Sequence, residues 1–318
     1  MIKKLYITAL SMILLTLTFT TATFAWVSMG ETNRVDGLSL TAATDSNLEF
    51  SLDGVNWTSN LNSESLQEIV KDLSFIDLSS IDGKNFISKP DGNTDMIYPN
   101  KNYFTLELFV RTTTRYRDVY LINNISNDVS FDAPPTSGTF ITSRGVTFRS
   151  SVDFLYDIGE IRNAGVPYTY YAKDAMRISI IELKTENPYD TRTESELNRF
   201  IFDPTGNEHR GFGKPYGSIS YYNAVRYDLI SIPNQIPKTL YELTSFNSLN
   251  KYEPDNTNSR VLRLIQTDNF KDEYRRYYEG KMLINIWLEG FDADSFDSIF
   301  RDTIKIQLEF QSALSIEN

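Results

Sequence analysis

Apolar and polar residues alternate with period two over long parts of this chain. In 302–312, Ile304, Ile306, Leu308 and Phe310 fall on one side and Lys305, Gln307 and Glu309 on the other. Successive side chains of a strand point to opposite faces, so this pattern predicts a strand with one face in a core. The segment 281–288 places Met282, Ile284, Ile286 and Leu288 in the same way, and 103–111 places Phe104, Leu106, Leu108 and Val110. Weaker alternation marks 38–42, 48–52, 119–125, 146–152, 175–183, 219–225 and 261–266, which makes about ten predicted strands. The intervals between them lack the helical pattern that parallel βαβ units require, which predicts a mainly antiparallel arrangement.

Helical spacing is confined to short pieces. The segment 63–73 offers Ser63 as a cap and Leu66, Ile69, Val70 and Leu73 as one apolar stripe, with weaker candidates at 194–202 and 295–299. The expected fold is mainly β: an antiparallel β-sandwich or jelly roll with short helical insertions. Loop composition marks 127–138, with adjacent Pro134 and Pro135, and also 184–217 and 254–260. The long segments 76–99 and 184–217 read as insertions in one elaborated sandwich spanning 26–318. The alternative is a split near Pro134 into two β domains. No internal repeat is apparent.

The N-terminus bears on the compartment. Lys3 and Lys4 precede an uncharged run of 23 residues, 5–27, the layout of a basic n-region and an apolar h-region. At about 1.5 Å per helical residue the run could span roughly 30 Å of hydrocarbon. A cleaved signal peptide over 1–25 and an uncleaved anchor over 5–27 therefore both fit. The small residues Thr23 and Ala25 ahead of Trp26 favour cleavage after Ala25. Either form of this N-terminal hydrophobic helix places the rest of the chain outside the cell, at its surface.

Composition narrows the chemistry. The chain has no cysteine and one histidine, which excludes disulfides, a thiol nucleophile, cysteine-ligated metal and any site needing two histidines. With 31 Lys+Arg against 42 Asp+Glu the net charge is −11, and removal of residues 1–25 would take away two lysines and no acid, giving −13. A field of that sign repels nucleic acid and anionic lipid, so membrane contact is expected only through 5–27. Hydrophobic residues at 41% and aromatics at 13% supply a sizeable core and exclude global disorder.

Two segments carry a resemblance. Thr23-Phe24-Ala25-Trp26, followed by Val35-Asp36-Gly37-Leu38-Ser39-Leu40, resembles the start of TasA/camelysin-type bacterial surface proteins. In those proteins a leader ends in such a Thr-aromatic-Ala-aromatic pattern and the mature chain enters a jelly-roll strand a few residues later. The segment 284–310, with Ile286-Trp287-Leu288-Glu289-Gly290-Phe291-Asp292, is similar to the last strand pair of exported proteins with such leaders. The resemblance covers the two ends and leaves the middle unmatched. It implies processing at Thr23, Ala25 and Trp26 by a dedicated signal peptidase, a surface or biofilm-matrix location, and assembly into fibres through an N-terminal strand.

Candidate chemistry is sparse. His209 sits in a glycine-flanked polar loop, and no G-x-S-x-G elbow accompanies any serine, so it reads as a loop histidine and not a catalytic base. No glycine run has the layout of a phosphate loop. Glu289, Asp292, Asp294 and Asp297 cluster in one short segment. Calcium would want six or more oxygen ligands, whereas Asp292 or Asp294 as the cap of a helix at 295–299 needs one side chain, which favours the cap. Tyr168, Tyr170, Tyr171, Tyr216, Tyr221, Tyr222, Tyr274, Tyr277 and Tyr278 could stack on sugars or pack a sheet through cross-strand pairs, and Arg275 and Arg276 read as a solvated face. No catalytic, cofactor or metal site is expected. The expected function is a structural surface or matrix protein that self-associates or contacts other surface proteins. A carbohydrate- or cell-wall-binding sandwich is the alternative, with a two-carboxylate glycoside hydrolase behind it.

Overall fold

A computed structural model describes Met12 and residues 33–44, 46–88, 97–226, 229–296, 299 and 301–315. Thr23, Ala25, Trp26, Asp297 and the run 5–27 apart from Met12 lie outside the described residues. Residues Asn33–Asn318 make one compact, mainly β unit. Strands on either side of Pro134, Asp118–Leu121 and Phe140–Ser143, pair with the same C-terminal strand Thr303–Ala313. Among the described residues no helix is long and apolar enough to cross a membrane.

Two large sheets carry the unit. The first runs Arg260–Arg263, Asp118–Leu121, Thr303–Ala313, Asn33–Ala42, Asn60–Leu61, with Ser74–Phe75 and Phe140–Ser143 as further partners. The second is centred on the 14-residue strand Arg276–Glu289, flanked by Met176–Leu183 and Phe104–Thr112. The alternation read from the sequence survives in space. Ile304, Ile306, Leu308 and Phe310 of the first sheet and Phe104, Leu108, Ile284 and Leu288 of the second are buried in one shared cluster, where the rings of Phe50 and Phe310 lie 5.8 Å apart.

Most strand pairings among the described residues are antiparallel, as the patterning predicted, but three are parallel. The longest of these joins the chain's two ends: Asn33–Ala42 runs parallel to Thr303–Ala313, from Arg34 opposite Thr303 to Ala42 opposite Phe310, with an irregularity between Val35 and Gly37. The other two join Arg199–Phe202 to Thr239–Leu240 and Arg276–Glu289 to Asp77–Ser79. Segments so far apart in sequence need no crossover helix between them, so the absence of a βαβ pattern carried no information about their direction.

Local predictions fail where tertiary contacts outweigh propensity. The expected strand 219–225 is an α-helix, Ser218–Val225. Ser218, Ile219, Tyr221 and Tyr222 are buried at helical spacing, and Tyr221 packs edge-on against Phe154. Two adjacent tyrosines favour a strand on propensity alone, but here one apolar stripe is covered and helical spacing satisfies it. The helical candidate 194–202 divides into a single 3-10 turn, Glu194–Glu196, and a strand, Arg199–Phe202. The expected strand 261–266 breaks at Leu264, whose N–H donates to Arg117 O. Helix Ser63–Val70 forms as predicted, but its cap is Asn62, whose side chain accepts from Ser65 N–H, and not Ser63.

A repeat missed in the sequence is plain in space. Ser51-Leu52-Asp53-Gly54-Val55-Asn56-Trp57 and Ser80-Ile81-Asp82-Gly83-Lys84-Asn85-Phe86 share the pattern S-x-D-G-x-N-aromatic. Both make the same turn. Oδ1 of Asp53 and of Asp82 accepts from two backbone N–H groups and from the starting serine hydroxyl, while Oδ2 accepts from the asparagine amide. Those donors hold the Asp53 carboxyl well below the usual range. Gly54 and Gly83 both adopt φ 72°, which explains the glycine. The second copy seals the outer face of the second sheet: Gly83 O accepts from Ser179 Oγ at 2.6 Å and Asn285 Nδ2 at 2.8 Å, and Phe86 packs on Trp287. Of the segment 76–99, expected as an insertion, the part 77–88 thus includes short strands and buries a second face of Arg276–Glu289.

Candidate functional site

The acidic segment that the sequence singled out ends in a buried charge cluster. Strand Met176–Leu183 turns Arg177 away from the core shared by the two sheets, and strand Arg199–Phe202 runs straight into Asp203. The turn after Arg276–Glu289 supplies Asp292. Arg177, Asp203 and Asp292 are 2%, 1% and 1% exposed. Arg177 Nη2 lies 2.9 Å from Asp203 Oδ2, also contacts Asp292 Oδ2, and Nη1 donates to Met176 O at 2.8 Å. Beside them the fully buried Glu289 accepts from Trp287 Nε1 at 3.0 Å and Phe291 N at 3.2 Å.

A second guanidinium, that of Arg210, serves the next acid of the same turn, Asp294. Arg210 donates through Nε to Asp294 Oδ2 at 2.9 Å and through Nη1 to Tyr156 O at 2.7 Å, with its plane 4.0 Å over the Tyr156 ring. Burial raises Asp292, Asp203 and Glu289 above the ordinary carboxyl range, against the opposing pull of Arg177. Burial likewise pushes Asp294 up to about 6 despite Arg210. These four carboxyls thus lie around two permanent cations in a largely buried space, with Asp157 3.5 Å from Arg210 at its more exposed side.

The backbone of the same turn is threaded by the segment before helix Ser218–Val225. Gly213 N donates to Phe291 O at 2.8 Å, Ser218 N to Ala293 O at 2.7 Å and Ser218 Oγ to Asp292 O at 2.5 Å. Gly217 has φ 62°, and a Cβ there would overlap Ala293 O. The arrangement clamps the 203–218 segment to the end of the central strand. Its charged groups are mostly buried and paired with one another, although Asp203 Oδ2 has an ion-pair contact and no hydrogen-bond partner, an arrangement that suits a structural bolt.

The other sequence candidates resolve one by one. Asp292 or Asp294 is expected to cap a helix at 295–299, of which 297 and 298 lie outside the described residues. Both pair with buried arginines, and Asp292 Oδ1 accepts from Asp294 N at 2.8 Å within its own turn. A guanidinium occupies the position next to each carboxylate that calcium would need, and among the described residues no group of three or more His, Asp or Glu is arranged to hold a metal. His209 lies in a 3-10 turn, half exposed, with Nε2 2.7 Å from Asp157 Oδ1 and its carbonyl accepting from Tyr216 Oη. Burial works upward on Asp157, but the Ile158 N–H and His209 outweigh it and hold the carboxyl low.

The tyrosines do not form one face. Tyr170, Tyr216, Tyr221 and Tyr222 are buried, whereas Tyr274 is 85% exposed. Tyr168 shares Arg162 with Tyr156 as a stacked pair, at 4.2 and 4.1 Å, and Tyr277 covers Arg111 at 4.1 Å. Arg275 pairs with Asp272, and Arg276 lies over Phe270.

Arg177 and Asp203 escaped the sequence reading. On an alternating strand Arg177 occupies an ordinary polar-face position, and nothing local says that a distant turn will cover it. Two open grooves were equally invisible. One, of about 370 Å³, is lined by Phe109, Asn187, Thr267, Asp268 and Glu279 among others. The other, of about 490 Å³, adjoins the second S-x-D-G-x-N turn. Comparison with family models, curated proteins and solved structures finds no match to this chain.

Proposed function

We propose that residues 26–318 are an exported, acidic surface or biofilm-matrix protein, a β-sandwich of jelly-roll type that works by self-association and not by catalysis. The reading rests first on the layout of 1–27, a basic pair, an apolar run and Thr23-Phe24-Ala25-Trp26, with its resemblance to TasA/camelysin-type leaders. The observation that carries the assembly step is the place of strand Asn33–Ala42. Cleavage after Ala25 would leave the seven residues 26–32 directly ahead of a strand paired along its length with the C-terminal strand. On its other side that strand pairs only at Asn33–Arg34 and Leu40–Thr41 among the described residues.

A short tail joined in sequence to a paired strand suits strand addition to a neighbouring copy. The opposite edge of the first sheet is blunted against such addition. Arg263 N donates to Glu182 Oε1 at 2.8 Å, and Arg260 O accepts from Asn198 Nδ2 at 3.3 Å, so side chains occupy the backbone groups of the edge strand Arg260–Arg263. Partners are then further copies or other surface proteins.

The test is sedimentation and electron microscopy of protein beginning at Trp26, compared with protein beginning at Asn33. Concentration-dependent fibres are expected from the first and not the second. The cut at Asn33 keeps the whole strand, so loss of fibres is not loss of fold. A monodisperse monomer from Trp26 at every concentration would overturn the assembly reading, and the precursor's intact N-terminus on secreted material would overturn the processing.

A further inference from the structure

We propose that the groove of about 490 Å³ between the second S-x-D-G-x-N turn and the short edge strand Thr239–Leu240 binds an acidic oligosaccharide, with Arg199 and Lys238 holding its carboxylate groups. The inference stands apart from the assembly reading and uses none of the residues on which that depends.

The charges in this groove are unspent. Most arginines of the chain use their guanidinium on a carboxylate, a carbonyl or an aromatic ring, as Arg111, Arg162, Arg177, Arg192, Arg210 and Arg263 do. Arg199 and Lys238 are exposed and make no ion pair or side-chain hydrogen bond among the described residues. In a chain with 42 acids against 31 bases, two idle cations lining one concavity are unexpected if the surface is passive. The acid beside them is already committed. Asp82 accepts from Ser80 Oγ, Lys84 N, Asn85 N and Asn85 Nδ2, and these donors outweigh burial and keep it ionised within its own turn. The turn holds that carboxylate away from an ion pair with either cation, so the lining carries two cations against one anion.

The rest of the lining selects the ligand class. Thr239 and Asn258 contribute a hydroxyl and a carboxamide that make no side-chain hydrogen bond among the described residues, while Ile81, Phe200 and Leu240 contribute apolar surface. A uronic-acid residue presents the matching features: a carboxylate for the planar guanidinium, ring hydroxyls for the neutral polar groups and a C–H face for the apolar ones. The groove volume lies within the range of small-ligand sites, and its open form admits a chain that continues past it. Register supports the geometry. Arg199 and Ile201 lie on the same face of their strand, and Ile201 packs on Leu78, Phe86 and Trp287, so the cation stands over a rigid base.

The test is fluorescence anisotropy of the full chain with labelled hexagalacturonate, the neutral galactose hexamer of the same length, and an aspartate decamer. Saturable binding of hexagalacturonate that weakens with added salt is expected, with little binding of the neutral hexamer. Loss of one charge-assisted pair is worth about a factor of ten. The double substitution Arg199→Gln with Lys238→Gln should therefore weaken binding by about tenfold or more, and Lys271→Gln, on a distant surface loop, should leave it unchanged. Both groove positions are exposed, so unchanged thermal melts will verify the fold. Absence of binding, binding indifferent to the double substitution, or equal loss with Lys271→Gln would overturn the site. Equally tight binding of the aspartate decamer would overturn the saccharide assignment.

Discussion

Arg177→Met is the most informative perturbation of this fold. Methionine has similar length and no charge, so the substitution removes the cation without opening a large void. It leaves Asp203 and Asp292, each 1% exposed, buried without their counter-ion. Removing one partner of a buried ion pair typically costs about 3–5 kcal/mol, because the other charge stays desolvated. The loss must depend on pH in a definite direction. Both carboxyls are held above their ordinary values in the folded protein, so the folded state binds protons that the unfolded state releases, and stability falls as pH rises through that window. Without Arg177 both values rise further. The penalty then grows by about 1.4 kcal/mol per pH unit for each carboxyl that remains protonated only in the folded state. Urea denaturation followed by fluorescence, with the buried Trp287 as one reporter, should show a larger loss at pH 8 than at pH 5. Adding Asp203→Asn and Asp292→Asn to the variant should flatten that dependence. A loss below about 1 kcal/mol, or one equal at both pH values, would refute the view that Arg177 neutralises this cluster.

Two further outcomes follow from local geometry. Gly54→Ala and Gly83→Ala meet the same left-handed backbone, φ 72° in each, which costs about 1–2 kcal/mol for a residue with a Cβ. At Gly54 the added methyl finds Phe109 at 3.5 Å, an ordinary contact, whereas at Gly83 it overlaps the Ser179 side chain; thermal melts should therefore show Gly83→Ala as clearly the worse, and equal shifts would contradict the buried placement of the second turn. Asn62→Ala should cost about 1 kcal/mol as a lost helix cap while Ser63→Ala stays within about 0.5 kcal/mol, a difference measurable by chemical denaturation and reversed if Ser63 were the cap.

Much of the sheet structure was legible because alternation reports burial directly. Phe104, Leu106, Leu108 and Val110 declare a strand with one covered face, and the structure buries those four. The same logic reads only one face at a time. Ser179, Asn285 and Trp287 sit on the face that patterning assigned to solvent, yet all are buried because the second S-x-D-G-x-N turn covers them. The two turns went unrecognised as a repeat because seven residues of mixed type have no periodicity. What unites them is the set of hydrogen bonds each aspartate accepts.

The candidate site divides in the same way. The cluster Glu289, Asp292 and Asp294 stood out as a run of acids, and capping or calcium were the uses that a single segment suggests. Their actual partners, Arg177 and Arg210, lie 115 and 84 residues away from Asp292 and Asp294. No local pattern links them.

The sequence by itself determined the strand-rich class, the acidic charge and the absence of thiol and two-histidine chemistry, since these follow from composition and from the period of side chains along a strand. Tertiary structure decided the direction in which the terminal strands pair and the helical state of Ser218–Val225. It also decided which charges are buried together and which are left facing a groove. These depend on what covers a face, and covering segments come from remote parts of the chain.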